Sequence, residues 1–493
     1  MFEKITPEEA GISSKTVKKF ISALEKRGAA THGLIFMRGD KTFAEAYWKP
    51  FNKDFPHRQY SQTKSFVGVA IGLLEEEGKL SLDDKIVDFF PEKLDGEPNP
   101  FLKAQTVRDM LTMKTVGRSS SWFISGDKDR THHYLNEKRK FHSPGTVWAY
   151  DSPGTQVLCN LVEKLAGKSL LDYLKEKLFD KMGAFKSATV LKTPNGVSWG
   201  DSAMICPLRD MAAFGRLLMN KGVWNGERLM NEKYITDATS DLVDNCDGTQ
   251  YSAYRQGYGY QIWRVAGGGF SFVGMGDQLT VCYPEKDLLF AVNSDNTSNP
   301  LIREMIYRML EDEFVDEIKD EPLKEDKGAQ KELADLISSL TLRAVKGEED
   351  SPLRQKIDGV KFICEENPMG IKEFSFKFTG KDKGEFRYTN AQGDKVLRFG
   401  INRNEFGKFP QEGYSDEFGA LPTTNGFLYD AAVSAAWSRD SEIVLFTQII
   451  DKYFGHMSAR FAFNGDHVSA VFKRFAENFL NEYNGELIGK KSV

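Results

Sequence analysis

Cysteine is scarce: five in 493 residues (Cys159, Cys206, Cys246, Cys282, Cys364), odd in number and widely scattered, which leaves no disulfide framework to read. No CxxC pair or Cys/His spacing suited to a metal is present, and His132-His133 reads as part of a solvated loop. Reduced thiols are therefore expected, and with them a cytoplasmic location. No run of about 18 apolar residues occurs, so no membrane span is expected, and residues 1–9 lack an apolar signal core. Positive charge is not in surplus either. A net charge of −5 with both signs interspersed gives no basic footprint, which argues against nucleic acid as a partner. Internal repeats and low-complexity segments are absent as well.

What is present suits a soluble globular chain of two or three domains, with 40% hydrophobic and 28% charged residues. Its most informative stretch is Ser61-Gln62-Thr63-Lys64-Ser65-Phe66, which continues almost wholly apolar to Leu74, turns acidic and closes at Gly78. This pattern predicts a buried helix opening near Ser61, where a serine can cap free N–H groups and the dipole favours an oxyanion. Lys64 follows Ser61 by one turn on the same face. An ammonium entering an apolar helix must find partners or lose its charge, and a hydroxyl beside such an amine is the arrangement of an activated nucleophile. A second Ser-x-x-Lys, Ser125-Gly126-Asp127-Lys128, lacks an apolar helix behind it and reads as a surface turn.

Before this helix, periodicity predicts a helix over 12–28 and a hairpin of 33–37 with 42–48. After it come short capped helices from Leu80 to Ile86 and over 105–113, then a polar, aromatic, Gly/Ser-rich segment (114–145) long enough to line a cleft. The run Ser143-Pro144-Gly145-Thr146-Val147-Trp148-Ala149-Tyr150-Asp151-Ser152-Pro153-Gly154 reads as a rigid loop presenting Tyr150, ahead of a helix over 155–166. Helices are expected over 202–220 and 230–240. Strands follow over 257–263, 271–283 and 287–293, and then a helix over 302–314. A charged stretch (316–350, with a helix at 329–341) separates this unit from a tail of alternating runs, 351–493, which predicts a mostly antiparallel β domain, barrel-like in form.

Taken together, Ser61-Gln62-Thr63-Lys64, Tyr150-Asp151-Ser152, Gly222-Val223-Trp224-Asn225-Gly226 and Gly257-Tyr258-Gly259-Tyr260 resemble the serine β-lactamase-related hydrolases: class C β-lactamases, family VIII carboxylesterases, D-aminopeptidases and the penicillin-binding-protein-like DD-peptidases. The resemblance covers about residues 6–315. It implies an α/β (α+β) fold: an antiparallel sheet (about 1–60 and 250–315) flanked by helices, with an all-α part over about 61–250. It also implies Ser61 as nucleophile, Lys64 as its base and Tyr150 as proton shuttle to the leaving group. Tyr134-Leu135-Asn136 and Tyr388-Thr389-Asn390 match the family's Tyr-x-Asn spelling better, but neither has the Pro-Gly-Thr approach and following helix of Tyr150. Ser152 stands where asparagine is usual. The Lys-Thr-Gly motif is missing, and the corresponding stretch is Phe272-Val273-Gly274-Met275-Gly276-Asp277-Gln278. Gly274 and Gly276 would let a carbonyl approach, with Met275 the first choice and Asp277 the alternative for the second oxyanion N–H.

Loss of that motif's lysine implies less charged esters or amides as substrates, rather than efficient β-lactam hydrolysis, unless Arg264 substitutes. No cofactor or metal is required, and the implied partner is a small ester or amide. The oligomeric state is open. A D-aminopeptidase or DD-peptidase, or a silent penicillin-binding sensor, are the alternatives. Amine and phenol both have reference pKa values near 10, so the chemistry asks the site to lower at least one.

Overall fold

In the computed structural model the described residues are 2–120, 126–246, 252–412, 427–477, 480 and 482–492. Two compact units divide the chain, the first ending at Thr341 and the second beginning at Leu342.

The first unit is built on a seven-stranded sheet in the order Glu3–Lys4, Lys41–Tyr47, Thr31–Arg38, Leu288–Ser294, Gln278–Tyr283, Gly269–Gly274, Trp263–Val265. All neighbours are antiparallel except the first pair. Both faces are covered, so the central strands read as continuous apolar runs whose alternate residues serve different cores. Leu34 and Phe36 join Phe290 and Val292 against Phe20 of helix Ser14–Lys26 and against Phe314; Ile35 and Met37 join Leu289 and Ala291 in the core of helices Thr63–Glu76 and Leu208–Met219. Helix Thr63–Glu76 is buried from Thr63 to Leu74, as its lack of a polar face dictates.

Several local expectations shift. The helix expected over 202–220 is a strand, Met204–Cys206, followed by a helix from Leu208, because Pro207 at the boundary takes an extended conformation (φ −60°, ψ 150°). Of the strand expected at 257–263, only Trp263 enters the sheet, in Trp263–Val265; Tyr258 makes isolated bridges instead. The Leu80–Ile86 helix reduces to a 3-10 turn, Ile86–Phe89. The helix after Tyr150 begins earlier than expected, at Ser152, with Pro153 in its first turn. Within the charged stretch, helix Lys327–Ser339 packs on helix Ser14–Lys26, where Lys18 pairs with Glu332 at 2.8 Å and Lys15 with Asp326 at 3.0 Å. Those charges answer charges on the first helix; they do not mark a loose connection.

The second unit is an antiparallel barrel of nine strands from Gly393–Ile401 round to Leu428–Arg439, closed by a parallel contact of Gly400 with Ser434 and Ile401 with Ala435. Strand Glu405–Glu412 adds outside Leu428–Arg439. Its alternating buried positions carry phenylalanines in mutual contact, such as Phe376 and Phe461 with centroids 5.1 Å apart, so the interior is a packed core. Among the described residues no helix is long and apolar enough to cross a membrane.

Candidate active site

Ser61 lies in a 3-10 turn, Tyr60–Gln62, that leads into helix Thr63–Glu76. It is the half-buried residue between two buried ones, and the turn is locked around it. Tyr60 takes a left-handed conformation (φ 47°), rare for a side chain of its size. It is held there by the Arg58 guanidinium 4.1 Å over its ring and by Thr63 Oγ1 donating to its carbonyl at 2.6 Å. Gln62 donates to Gln59 at 2.9 Å and accepts from Thr280 at 2.8 Å, which ties the turn to the sheet. The sequence pattern suggested a helix cap for Ser61. Its side chain caps nothing, because its oxygen accepts from Lys64 instead.

Lys64 is buried, 2% exposed, and its Nζ donates to Ser61 Oγ at 2.9 Å and to the Asp201 carbonyl at 2.6 Å. The carbonyl is delivered by a segment pinned from helix Ser152–Ala166: Gln156 donates to Ser198 O at 2.8 Å and accepts from Gly200 N at 3.0 Å. Gly200 must be glycine, since a Cβ there would collide with Cys159. The Asp201 carboxylate faces the buried Arg130 at 3.5 Å, and Arg130 lies over Trp199 at 4.8 Å.

The third group arrives from the far side. The Lys64 ammonium is 5.1 Å from the ring centroid of Tyr150, within cation–π range. Tyr150 is half-buried, stacked on Trp263 (5.4 Å, 25°), and its carbonyl accepts from Arg118 Nε at 3.0 Å. Lys64 thus contacts both Ser61 and the ring of Tyr150. Ser152, at the helix start, makes no hydrogen bond to Lys64. Ser125 lies outside the described residues. Tyr134 is a buried residue bonded to Gln105, and Tyr388 pairs with Tyr483 inside the barrel. His132 and His133 sit on a short helix, Arg130–Asn136, capped by Asp129, and not in a loop; His132 bridges Asp127 and Asp95.

Asp151, between Tyr150 and Ser152, is fully buried, and burial pushes its carboxyl up to about 6 despite Arg139 and a 3.0 Å bond from Thr115. A carboxyl with a raised folded pKa is tolerated while protonated and opposes folding as pH climbs through that value. Asp151→Asn should therefore raise the melting temperature at pH 8 and give no gain at pH 4. The difference corresponds to up to about 3 kcal/mol, less about 1 kcal/mol if the new amide finds no acceptor. Thermal melts at the two pH values check it; an equal shift at both would mean that packing, not charge, governs the site.

Strand Gly269–Gly274 ends against the turn that carries Ser61: a Cβ on Gly274 would strike the carbonyl oxygen of Gln59. Met275 follows, half-buried, and then Gly276 (φ 73°) and Asp277 (φ 66°) reverse the chain. The Asp277 side chain points away into an ion pair with Arg303 at 2.7 Å. Arg264, on the edge strand, donates to Thr239 O at 2.9 Å. Sequence reasoning missed Asp201, Arg130, Gln156, Trp263 and Arg303. Only the Gly200-Asp201 pair carries a local signal, that of a close backbone approach.

The family model described as Beta-lactamase matches residues 17–312. The chain is 26% identical over 247 residues to the 6-aminohexanoate-dimer hydrolase of Paenarthrobacter ureafaciens, covering 47% of this chain and 63% of that relative. It therefore spans less than two thirds of that relative's length. Over 130 residues it is 29% identical to penicillin-binding protein 4* of Bacillus subtilis, covering 24% and 27% of the two chains. A solved structure of a candidate 6-aminohexanoate-dimer hydrolase from Bacillus anthracis, 18% identical, superposes with a TM-score of 0.53 over 63% of this chain and 86% of its own.

Proposed function

The chain belongs to the beta-lactamase family, and from that we propose that it hydrolyses a small ester or amide through an acyl-enzyme on Ser61. The observation that carries this reading is the Lys64 amine nitrogen set between the Ser61 hydroxyl at 2.9 Å and the Tyr150 ring. Lys64, acting as the neutral amine, accepts the Ser61 proton as Oγ bonds to the carbonyl carbon, and Tyr150 relays a proton onward. The N–H groups of Ser61 and Met275 then receive the oxyanion, each worth about 3 kcal/mol in the transition state. Collapse breaks the bond to the leaving group, which takes a proton from Tyr150. Water then attacks the acyl carbon and returns the hydroxyl to Ser61.

An uncharged acyl substrate is favoured because Arg264 is engaged by Thr239 and Arg303 by Asp277, so neither guanidinium is presented as a carboxylate clamp. The name of the Paenarthrobacter relative, a hydrolase of the 6-aminohexanoate dimer, points to amide cleavage, which supports the amidase arm. Purified protein should turn over p-nitrophenyl butyrate and a short p-nitroanilide, with kcat/KM on nitrocefin at least about 100-fold lower than on the ester. A fluorophosphonate should add to the tryptic peptide containing Ser61. An adduct on another serine, or labelling without any turnover, would replace this reading with a different nucleophile or with a silent acyl-binding module.

A further inference from the structure

We propose that Arg303 is a positioning residue that aims the oxyanion-binding N–H of Met275; the inference rests on the acyl-transfer reading above. Arg303 projects from helix Leu301–Leu310 with its side chain 11% exposed, and spends its planar fork on two different acceptors. Nε donates to Asp277 Oδ1 at 2.7 Å, and Nη2 donates to the carbonyl oxygen of Gly274 at 3.2 Å.

The second bond is the consequential one. In a trans peptide the C=O of one residue and the N–H of the next point in opposite directions within one rigid plane. Holding the Gly274 oxygen on the Arg303 side therefore turns the Met275 N–H to the other side. A Cβ on Gly274 would strike the Gln59 carbonyl, so this plane lies against the stretch leading into Ser61. The neighbouring planes are fixed in the same manner. Gln278 Nε2 donates to Met275 O at 3.0 Å, Asn296 N donates to Gly276 O at 3.1 Å, and the Ser294 hydroxyl lies 2.8 Å from both Gly276 O and Asp277 O, its one proton shared between them.

All four carbonyls from Gly274 to Asp277 are thus engaged. Three are held by donors on strand Gln278–Tyr283, strand Leu288–Ser294 and the loop that follows it. The Gly274 carbonyl, in the last ladder pair of its strand, also receives a side chain from outside the sheet, and that side chain is anchored by its own pair with Asp277, 3% exposed. A turn containing two left-handed residues has freedom to rotate a peptide plane, and this clasp removes it. Neutralising Asp277 needs only a cation; holding Gly274 at the same time needs the fork, which lysine lacks.

The test compares Arg303→Lys with the double variant Asp277→Asn/Arg303→Gln, which removes both charges together and so guards against misfolding from an unpaired carboxylate. Substrate is p-nitrophenyl butyrate, and the transition-state probe is phenylboronic acid, which adds to a nucleophilic serine as a tetrahedral anion. Both variants should lose about 100-fold in kcat with KM changed less than about threefold. Their inhibition constants for the boronic acid should rise in proportion, with melting temperatures near that of the parent. Wild-type kcat in Arg303→Lys, or a loss confined to KM, overturns the proposal. Ser61→Ala separates the two levels: if it retains turnover the acyl-transfer reading fails, whereas an inactive Ser61→Ala beside a fully active Arg303→Lys removes only the role of Arg303.

Discussion

Ser61→Ala is expected to lower kcat for p-nitrophenyl butyrate by about four orders of magnitude or more, and Lys64→Met by nearly as much. The two side chains act as one unit. Lys64 Nζ lies 2.9 Å from Ser61 Oγ, and without the amine nothing else shown bonded to that hydroxyl can take its proton. The double variant should therefore be no slower than either single one, because removing the second member of a disabled pair removes nothing further. Methionine is close to lysine in length and suits the apolar helix, so Lys64→Met tests chemistry with little disturbance of packing. It leaves the Asp201 carbonyl without its 2.6 Å donor, at a cost of about 1 kcal/mol. Labelling by the fluorophosphonate should vanish in Ser61→Ala and slow in Lys64→Met in step with kcat. Wild-type rates in Lys64→Met would remove the amine from the mechanism while leaving the serine in it.

The residues legible in the sequence are those whose chemistry is local. Ser61 and Lys64 share one helical turn, and Tyr150 stands in a Pro/Gly-framed loop, so spacing and turn chemistry mark them as candidates and the family resemblance supplies their proposed roles. The central strands of the first unit and several barrel strands were legible as well, since burial on two faces and alternation on one leave different patterns, whereas the edge strand Trp263–Val265 was misplaced and the run over 271–283 divides at Met275–Asp277. What stayed hidden depends on groups that meet only after folding. Asp201 contributes a backbone carbonyl, which every residue has, and its placement comes from Gln156 some 45 positions earlier in the chain. Trp263 reads as a strand aromatic until its ring is seen under Tyr150. The segment before Pro207 has helical periodicity and is nonetheless a strand, because Met204–Cys206 pairs with both His57–Arg58 and Thr189–Val190, ladders no window of sequence contains. Within the charge-dense stretch 316–350 the helix expected at 329–341 is present as Lys327–Ser339, but its partner was hidden, since its acidic groups answer lysines about 300 residues away.

Tyr150→Phe isolates the remaining group. The substitution deletes one oxygen and keeps the ring stacked on Trp263 and beside the Lys64 ammonium, so the melting temperature and KM should hold close to their parent values. If Tyr150 protonates the leaving group, the size of the loss must follow the leaving group's need for a proton. A p-nitrophenolate departs as a stable anion, whereas an amine cannot depart from a tetrahedral intermediate until its nitrogen is protonated. The expected result is a drop of about 10-fold on p-nitrophenyl butyrate and of about 10³-fold on an alkyl amide or p-nitroanilide, the upper range for a positioned general acid. Steady-state kinetics on the matched ester and amide read the ratio directly. Equal losses on both would move the phenol to the earlier step, where it would help Lys64 take the Ser61 proton. Parent rates on both would leave the aromatic ring as a wall of the site and assign the leaving-group proton to Lys64 itself, which lies on that ring's face and within reach of Ser61 Oγ.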